Sequence, residues 1–202
     1  MTHARQTYIE NSRERATESF SDHEIISESD GRWLIRRPTP NAAFHWTEVI
    51  ALAGNGLLVD GDIDPVIFRY GPKHPEARVR WMARTKGADD RYFREKATIG
   101  GTGPHIMTWC EDVARDDLTD LQKEAFEDSE DEKHARKIVD ALEEIKRSLG
   151  FASEHDVSRD LYESNIYDGC DLPRVGTVPS TRLFSAHAAL VRLADLLDAR
   201  DS

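Results

Sequence analysis

The hydrophobic period of the sequence changes near residue 88, and this change constrains the fold more than any other feature. Between residues 32 and 84 apolar and polar side chains alternate, as Trp33 and Ile35 do with Arg32 and Arg36. Alternation with a period of two is typical of a strand that is buried on one face. After residue 88, apolar residues recur at the three- and four-residue spacing of amphipathic helices. The chain is therefore predicted to be an α+β protein.

Residues 32–84 are expected to form an antiparallel meander. Turn sequences such as Asn55-Gly56 separate short alternating runs, and no helical pattern lies between them. The runs that we expect to be strands are 32–36, 44–50, 57–59, 66–70 and 78–84. In this interpretation three tryptophans occupy inward strand positions and are predicted core residues. They are Trp33, Trp46 and Trp81.

The strongest helical pattern covers residues 130–149, where the apolar residues fall on one stripe. Ser129 and Glu132 have the spacing of a capping box, which predicts that this helix begins beside them. Thr119 and Gln122 have the same spacing and predict another helix start. A final helix is expected after Pro179 because leucines again recur on one stripe. His187 is then a partly buried packing residue on that helix.

These patterns divide the chain into two parts. Residues 1–30 are polar with a thin apolar stripe, so we expect a mobile or weakly helical arm. Residues 31–202 are expected to form one compact domain, with the sheet in 32–84 and the helices of 90–199 packed on one face of it. No run approaches the roughly 20 apolar residues that a membrane span needs, and the first 20 residues lack the apolar region of a signal peptide.

Several enzyme classes lose support from the sequence. Cys110 and Cys170 are the only cysteines in 202 residues, too few for a disulfide framework, and this favours a reducing cytoplasm. The histidines lack the paired spacing that binds zinc, and no nucleotide-binding or nucleophile-elbow motif is present. We therefore expect no cofactor and no metal, and favour a protein that is not an enzyme. A catalytic triad assembled in space stays open.

Negative charge is concentrated in one segment. The net charge of the chain is −11, and residues 111–163 hold 18 acidic against 8 basic residues, a net charge of −10. Such a field repels nucleic acid and attracts basic surfaces. The densest part, which we predict to contact a partner with a basic surface, comprises Glu124, Glu127, Asp128, Glu130, Asp131 and Glu132. A solvated acidic face without a partner is the alternative.

Arginines suggest a second candidate site. If residues 78–84 form a strand, three arginines share the face opposite Trp81, and an arginine on the preceding strand lies beside them. This stripe would suit phosphates, nucleotides or an acidic partner. The alternative, which the sequence favours, is a solvated sheet face that also discourages edge aggregation. Its members are Arg69, Arg78, Arg80 and Arg84. The long loop at 165–180 lies between two predicted helices and could contribute to the same site.

Five short segments together resemble small uncharacterised proteins encoded by bacteriophages and other mobile elements. They are Arg32-Trp33, the run 44–50, Val59-Asp60-Gly61-Asp62, the run 66–69 and Tyr92-Phe93-Arg94-Glu95-Lys96. The resemblance covers about residues 31–115 and brings no catalytic residues with it. It implies an accessory role in the cytoplasm of a host cell, of which counter-defence, such as anti-CRISPR inhibition, is the sharpest form.

The sequence thus predicts a non-enzymatic protein that binds and inhibits a host protein through its acidic surface. The partner would be a protein that handles nucleic acid, and neither a membrane nor direct nucleic-acid binding is favoured. The alternative is a nucleotide- or phosphate-binding protein, or a hydrolase, that uses the arginine stripe and the 165–180 loop. The oligomeric state is not predicted.

Overall fold

A computed structural model describes residues 2–38, 46–63, 65–69, 71–99, 106–127, 131–167 and 172–202. The chain divides into two compact units. We call Ile9–Ile106 with Pro179–Ser202 the sheet unit, and Met1–Tyr8 with Met107–Val178 the helical unit. The predicted boundary at residue 30 does not coincide with a boundary between these units. Compactness alone does not test independent folding, so the expected single domain stays a prediction.

The sheet unit contains an antiparallel sheet of six strands in sequence order. Each strand pairs with the next one along the chain, so the sheet is a meander. The strands are β1 (Glu24–Ser29), β2 (Arg32–Arg36), β3 (Trp46–Leu52), β4 (Gly56–Gly61), β5 (Val66–Phe68) and β6 (Ala97–Ile99). The α+β class, with an antiparallel sheet in the N-terminal half of the chain and helices in the C-terminal half, is therefore confirmed.

One face of the sheet forms the core because the alternation of apolar residues is kept in register from strand to strand. Trp33 lies opposite Val49, Val49 opposite Val59, and Val59 opposite Val66. All four side chains are at most 1% exposed. A slip of one residue would turn each of these side chains to the other face, so their burial fixes the register.

Helices cover the buried face of this sheet. The helices of the sheet unit are α1 (His3–Phe20), which begins in the helical unit, α2 (Pro75–Ala83), α3 (Arg91–Lys96) and α7 (Thr181–Arg200). Helix α7 is the most apolar of them and packs against α2, β1 and β5. It buries Leu183, Phe184, Ala186, Ala188, Ala189, Leu190, Leu193, Ala194 and Leu197. This confirms the predicted apolar stripe of the final helix.

The expected strand at 78–84 is wrong, because residues 75–83 form helix α2. Pro75 occupies the first turn, where its missing N–H costs no hydrogen bond. Val79 and Met82, three residues apart, are both buried and give the helix its inner face. The alternation of arginine and apolar residues is typical of a strand with one exposed face. That interpretation assigns every arginine to the exposed face, whereas the side chain of Arg78 is buried.

Two of the predicted core tryptophans also need correction. Trp33 is 1% exposed, as expected, but Trp46 is 40% exposed. Trp46 lies opposite Arg36, on the face of the sheet away from the core. Trp81 lies on α2 and is partly exposed, with its ring edge-on to Tyr92 at 5.8 Å between centroids.

The N-terminal 30 residues contain regular structure. Helix α1 buries Ile9, Ala16 and Phe20, and β1 is the first strand of the sheet. The apolar stripe of α1 is thin, as the sequence indicates, but its three apolar side chains are buried. The predicted start of the sheet at residue 32 is therefore eight residues late, since β1 begins at Glu24.

The helical unit packs its helices around a separate apolar cluster. Its elements are β7 (Met107–Trp109), α4 (Glu111–Glu127), α5 (Glu132–Ser148), a 3-10 turn (Leu149–Phe151), α6 (Glu154–Glu163) and β8 (Thr177–Pro179), which pairs with β7. The cluster consists of Ala114, Leu118, Leu142, Ile145, Leu149, Val157, Leu161 and Val175. The strong helical pattern at 130–149 is thus confirmed as α5.

The predicted helix starts in this unit are only partly right. Thr119 and Gln122 lie inside α4, so their spacing does not mark a helix start. Ser129 lies outside the described residues. The residue that caps α5 is Asp131, whose side chain accepts a hydrogen bond of 2.9 Å from the backbone N–H of Lys133.

The two tryptophans of neighbouring strands allow a direct test of which face of the sheet is the core. Trp33→Ala should reduce the free energy of unfolding by about 3–5 kcal/mol, because it removes a fully buried ring. Trp46→Ala is the matched control and should cost less than about 1 kcal/mol, since that ring is largely exposed. Equal losses in urea denaturation would contradict this assignment of the faces.

Candidate functional site

The excess negative charge of the chain belongs almost entirely to the helical unit. This unit holds 20 acidic and 10 basic residues, a net charge of −10, whereas the sheet unit holds 18 and 17, a net charge of −1. The segment 111–163, which the sequence singles out, therefore coincides with helices α4, α5 and α6 of one compact unit. The excess negative charge of the chain therefore arises from one structural unit.

The predicted acidic site lies where α4 ends and α5 begins. Glu124 and Glu127 occupy the last turn of α4, and Asp131 and Glu132 stand at the start of α5. All four side chains are exposed. Asp128 and Glu130, the other two members, lie outside the described residues. The structure thus brings the four described members to one connection between two helices.

Only some of these acids have cationic neighbours. Glu132 receives a hydrogen bond of 2.6 Å from Arg136, one helical turn further on. Within the described part of the chain, Glu124 and Glu127 form no ion pair. Asp131 is engaged as the cap of α5. Exposed pairs such as Glu132 with Arg136 contribute little to stability. Glu124 and Glu127 therefore have no cationic partner among the described residues that would offset their charge.

An exposed aromatic ring accompanies the acids. Phe126 is 52% exposed and lies between Glu124 and Glu127 in sequence, on the last turn of α4. Exposed aromatic rings are enriched in protein–protein interfaces. The face of such a ring attracts cations such as the guanidinium group of arginine. The sequence offers no signal for this exposure, because an apolar residue in a helix is normally assigned to the buried stripe.

The arginines of the alternative site do not form a stripe on a sheet. Arg78 and Arg80 lie on α2, and Arg84 follows its last residue. Arg69 is exposed beyond the end of β5. The predicted stripe is therefore wrong as geometry, because the strand that would align these residues is a helix.

Arg78 is buried and donates four hydrogen bonds to backbone carbonyl groups. Its guanidinium donates to the carbonyl oxygens of Pro72, Leu52, Gly56 and Lys73. Burial lowers the pKa of Arg78 from its ordinary value. A guanidinium with this many satisfied donors on the protein itself is a structural group and is not available to a ligand.

Arg80 belongs to a network of ion pairs near the end of the chain. It donates to Glu76 at 3.1 Å and to Asp198 and Asp201 at 2.5 Å. Arg200 donates to Glu76 at 2.9 Å and also reaches Asp201 and Glu28. The cations of this network are neutralised by carboxylates on α2, α7 and β1, so they present no free positive surface.

The loop at 165–180 is more ordered than its sequence indicates. Residues 168–171 lie outside the described residues, but Val175 and Gly176 are buried and β8 follows directly. The backbone N–H of Gly176 donates to Asp117 at 2.9 Å, and the same carboxylate oxygen accepts from Arg5 at 2.7 Å. A side chain at position 176 would collide with Trp109, which explains the glycine there. The described part of this loop is packed structure.

A cavity of 390 Å³ in the sheet unit was not anticipated from the sequence. Its residues come from α1, from the segment after α2 and from α7, which are far apart along the chain. It combines apolar walls with three cationic side chains, Arg13, Lys86 and Arg192. His187 also lines it and packs edge-on to Phe93, with 4.9 Å between ring centroids, which confirms its predicted packing role.

Among the described residues, no group of three or more His, Cys, Asp and Glu side chains is arranged to hold a metal ion. None of the helices in the same residues combines the length and apolar character needed to cross a bilayer.

Comparison of the chain with protein-family models, with curated proteins and with solved structures found no match.

Removing the guanidinium of Arg78 should be costly. Arg78→Met leaves up to four carbonyl oxygens without their donor, and we expect a loss of at least about 3 kcal/mol in the free energy of unfolding. Arg84→Met, which removes an exposed arginine one residue beyond α2, should change it by less than about 0.5 kcal/mol. Urea denaturation measures both. Similar small losses would show that the carbonyl groups find water instead.

The ion-pair network should respond to acid with a defined sign. Hydrogen bonds from Arg200 lower the pKa of Glu76 and of Asp201. Their contribution is therefore complete above the ordinary carboxyl pKa of about 4 and is lost as the pH falls through the lower folded value. The melting temperature of Arg200→Gln should lie slightly below that of wild type at neutral pH, and the gap should close below about pH 3. A gap that widens in acid would contradict this.

Proposed function

We propose that this protein is a non-enzymatic binding protein that engages a basic, nucleic-acid-binding surface of another protein and thereby blocks it. The observation that carries the proposal is the partition of charge, with −10 on the helical unit and −1 on the sheet unit. A compact unit with this charge density presents a field of the same sign as a nucleic-acid backbone. A groove that evolved to hold phosphates would attract it.

The contact that we propose is centred on the end of α4 and the start of α5. Glu124 and Glu127 supply exposed charge without ion pairs in the described part of the chain, and Phe126, on the same last turn of α4, supplies an exposed ring. Charge brings the partners together quickly, and a ring that becomes desolvated in the contact contributes to affinity. Acidic charge around an aromatic anchor suits an arginine-rich partner surface.

The biological setting follows from the resemblance to proteins of phages and other mobile elements. In that setting the partner is a host protein, and a nucleic-acid-handling defence complex is the sharpest version, as in anti-CRISPR inhibition. The protein would then act in the host cytoplasm. The acidic unit supports the mode of binding, whereas the choice of partner rests on the resemblance.

Neutralising the acidic contact should abolish capture of such a partner. The variant Glu124→Gln, Glu127→Gln, Asp128→Asn and Glu130→Gln removes four negative charges and leaves the cap residue Asp131 in place. The matched control is Glu14→Gln, Glu18→Gln, Glu24→Gln and Glu95→Gln, which removes four exposed charges from the sheet unit. Both variants have the same net charge, so any difference between them reports location.

The measurement is capture of host-lysate proteins on immobilised wild type and both variants, quantified by mass spectrometry. We expect a nucleic-acid-binding protein that wild type and the control capture and that the acidic variant loses. Raising the salt should weaken its capture steeply, since exposed charges are screened within about 10 Å at 0.1 M. Added duplex DNA or RNA should displace it. Equal capture by both variants, or capture that is insensitive to salt and nucleic acid, would exclude the acidic contact.

A further inference from the structure

The cavity of the sheet unit has the composition of a small-molecule site. Its volume of 390 Å³ lies within the range of about 300–1,000 Å³ that is typical of ligand pockets. Phe20, Ala188 and Val191 form apolar wall, and Arg13, Lys86 and Arg192 bring cationic groups to it. Apolar walls with a few convergent polar groups are the usual form of such sites.

Two of the three cations are held in place by the protein and still have donors to spare. Arg13 donates one hydrogen bond of 2.6 Å to Asp89. Arg192 donates through Nε to the backbone carbonyl of His23 at 2.8 Å. A guanidinium carries five N–H donors, so neither side chain is exhausted by these bonds. Fixed cations lose less conformational entropy when an anion binds.

The third cation has no partner of its own. Lys86 is exposed and forms no ion pair or hydrogen bond within the described part of the chain. The cavity lining contains one carboxylate, Asp195, and Asp89 neutralises part of the charge of Arg13. When both carboxylates are counted, the site still has an excess of one positive charge. This excess stands out in a unit whose net charge is −1.

His187 contributes ring surface and no charge. Burial lowers its pKa from the ordinary value and outweighs the backbone hydrogen bonds at Thr85 and Ala83, which act in the opposite direction. The lowered pKa favours the neutral imidazole at physiological pH. The positive charge of the site thus comes from Arg13, Lys86 and Arg192 alone.

We propose that this cavity binds a small organic anion, with the apolar body against Phe20, Ala188 and Val191 and the anionic head between Arg13, Lys86 and Arg192. A carboxylate or a phosphate monoester satisfies this description, since both accept several hydrogen bonds from guanidinium and ammonium groups. The site is independent of the acidic contact of the helical unit. Its occupant is a metabolite-sized molecule rather than a protein.

Probes with one apolar body and different heads test the proposal. Octanoate, octyl phosphate, octanol and octylamine are titrated into the full-length protein by calorimetry. We expect both anions to bind and the neutral and cationic probes to bind at least about ten-fold more weakly, because a charge-assisted contact is lost. Adenosine monophosphate tests a polar body in place of the alkyl chain. Tighter binding of this nucleotide than of octyl phosphate would contradict the apolar part of the site.

Variants then connect binding to the cavity. Lys86→Gln should weaken octanoate about five-fold and leave octanol unchanged, whereas Lys73→Gln, which removes an exposed lysine elsewhere in the sheet unit, should change neither. Val191→Phe fills the cavity and should prevent binding of every probe. Melting curves establish that each variant is folded, and a variant that fails this check is replaced by Val191→Leu.

The outcomes separate this proposal from the function proposed for the helical unit. The four-fold acidic variant should bind octanoate as wild type does, because none of its substitutions lies in the sheet unit. Equal affinity for octanoate and octanol, or no response to Lys86→Gln, would reduce the site to an apolar cavity and overturn the proposal. Absence of binding by all probes to the folded wild type would overturn it as well.

Discussion

The side chain of Arg78 holds three separate segments of the sheet unit in one arrangement. From α2 it reaches the connection between β3 and β4, through Leu52 and Gly56, and the segment that precedes α2. Its aliphatic part lies so close to Gly71 that a side chain there would collide with it. A buried charge is tolerated only when its hydrogen bonds are complete. The position of α2, and with it the surface against which α7 packs, therefore depends on this guanidinium.

This arrangement explains which parts of the fold the sequence could predict. Strands β2 to β5 are visible because they are buried on one face only, and α5 is visible because its apolar stripe is regular. Residues 78–84 mislead because charged and apolar residues alternate there while Arg78 is inside. A hydrophobicity pattern assigns charged residues to the solvent-exposed face. The hydrogen bonds that allow Arg78 to be buried are made to backbone carbonyl groups, two of them more than twenty residues away, and the pattern does not show them. Trp46 fails for a related reason, since parity within a strand does not say which face the helices cover.

The two candidate sites also differ in how far the sequence could predict them. The clustering of the described acidic residues between Glu124 and Glu132 could be predicted, because charge density is a local property of sequence, whereas their role as a site stays a proposal. The cavity could not, because Arg13, Lys86 and Arg192 meet only after three distant segments have packed. Phe126 is an intermediate case. Its position in the sequence is plain, but its exposure follows from where the inner face of α4 lies, which is set by Val113, Ala114 and Leu118.

The partition of charge between the two units is compatible with the two proposed sites, whose ligands have opposite sign. An anion would be repelled by a surface with the charge of the helical unit, and a basic protein would be repelled by the cations at the cavity. Because charges are screened within about 8–10 Å at physiological salt, each ligand responds mainly to the groups nearest its own site. The near-neutral total of the sheet unit therefore does not prevent local positive charge at Arg13, Lys86 and Arg192 from selecting an anion. The helical unit has twice as many acidic as basic residues, whereas the two are nearly balanced in the sheet unit, so the two proposed sites differ in the sign of their local charge.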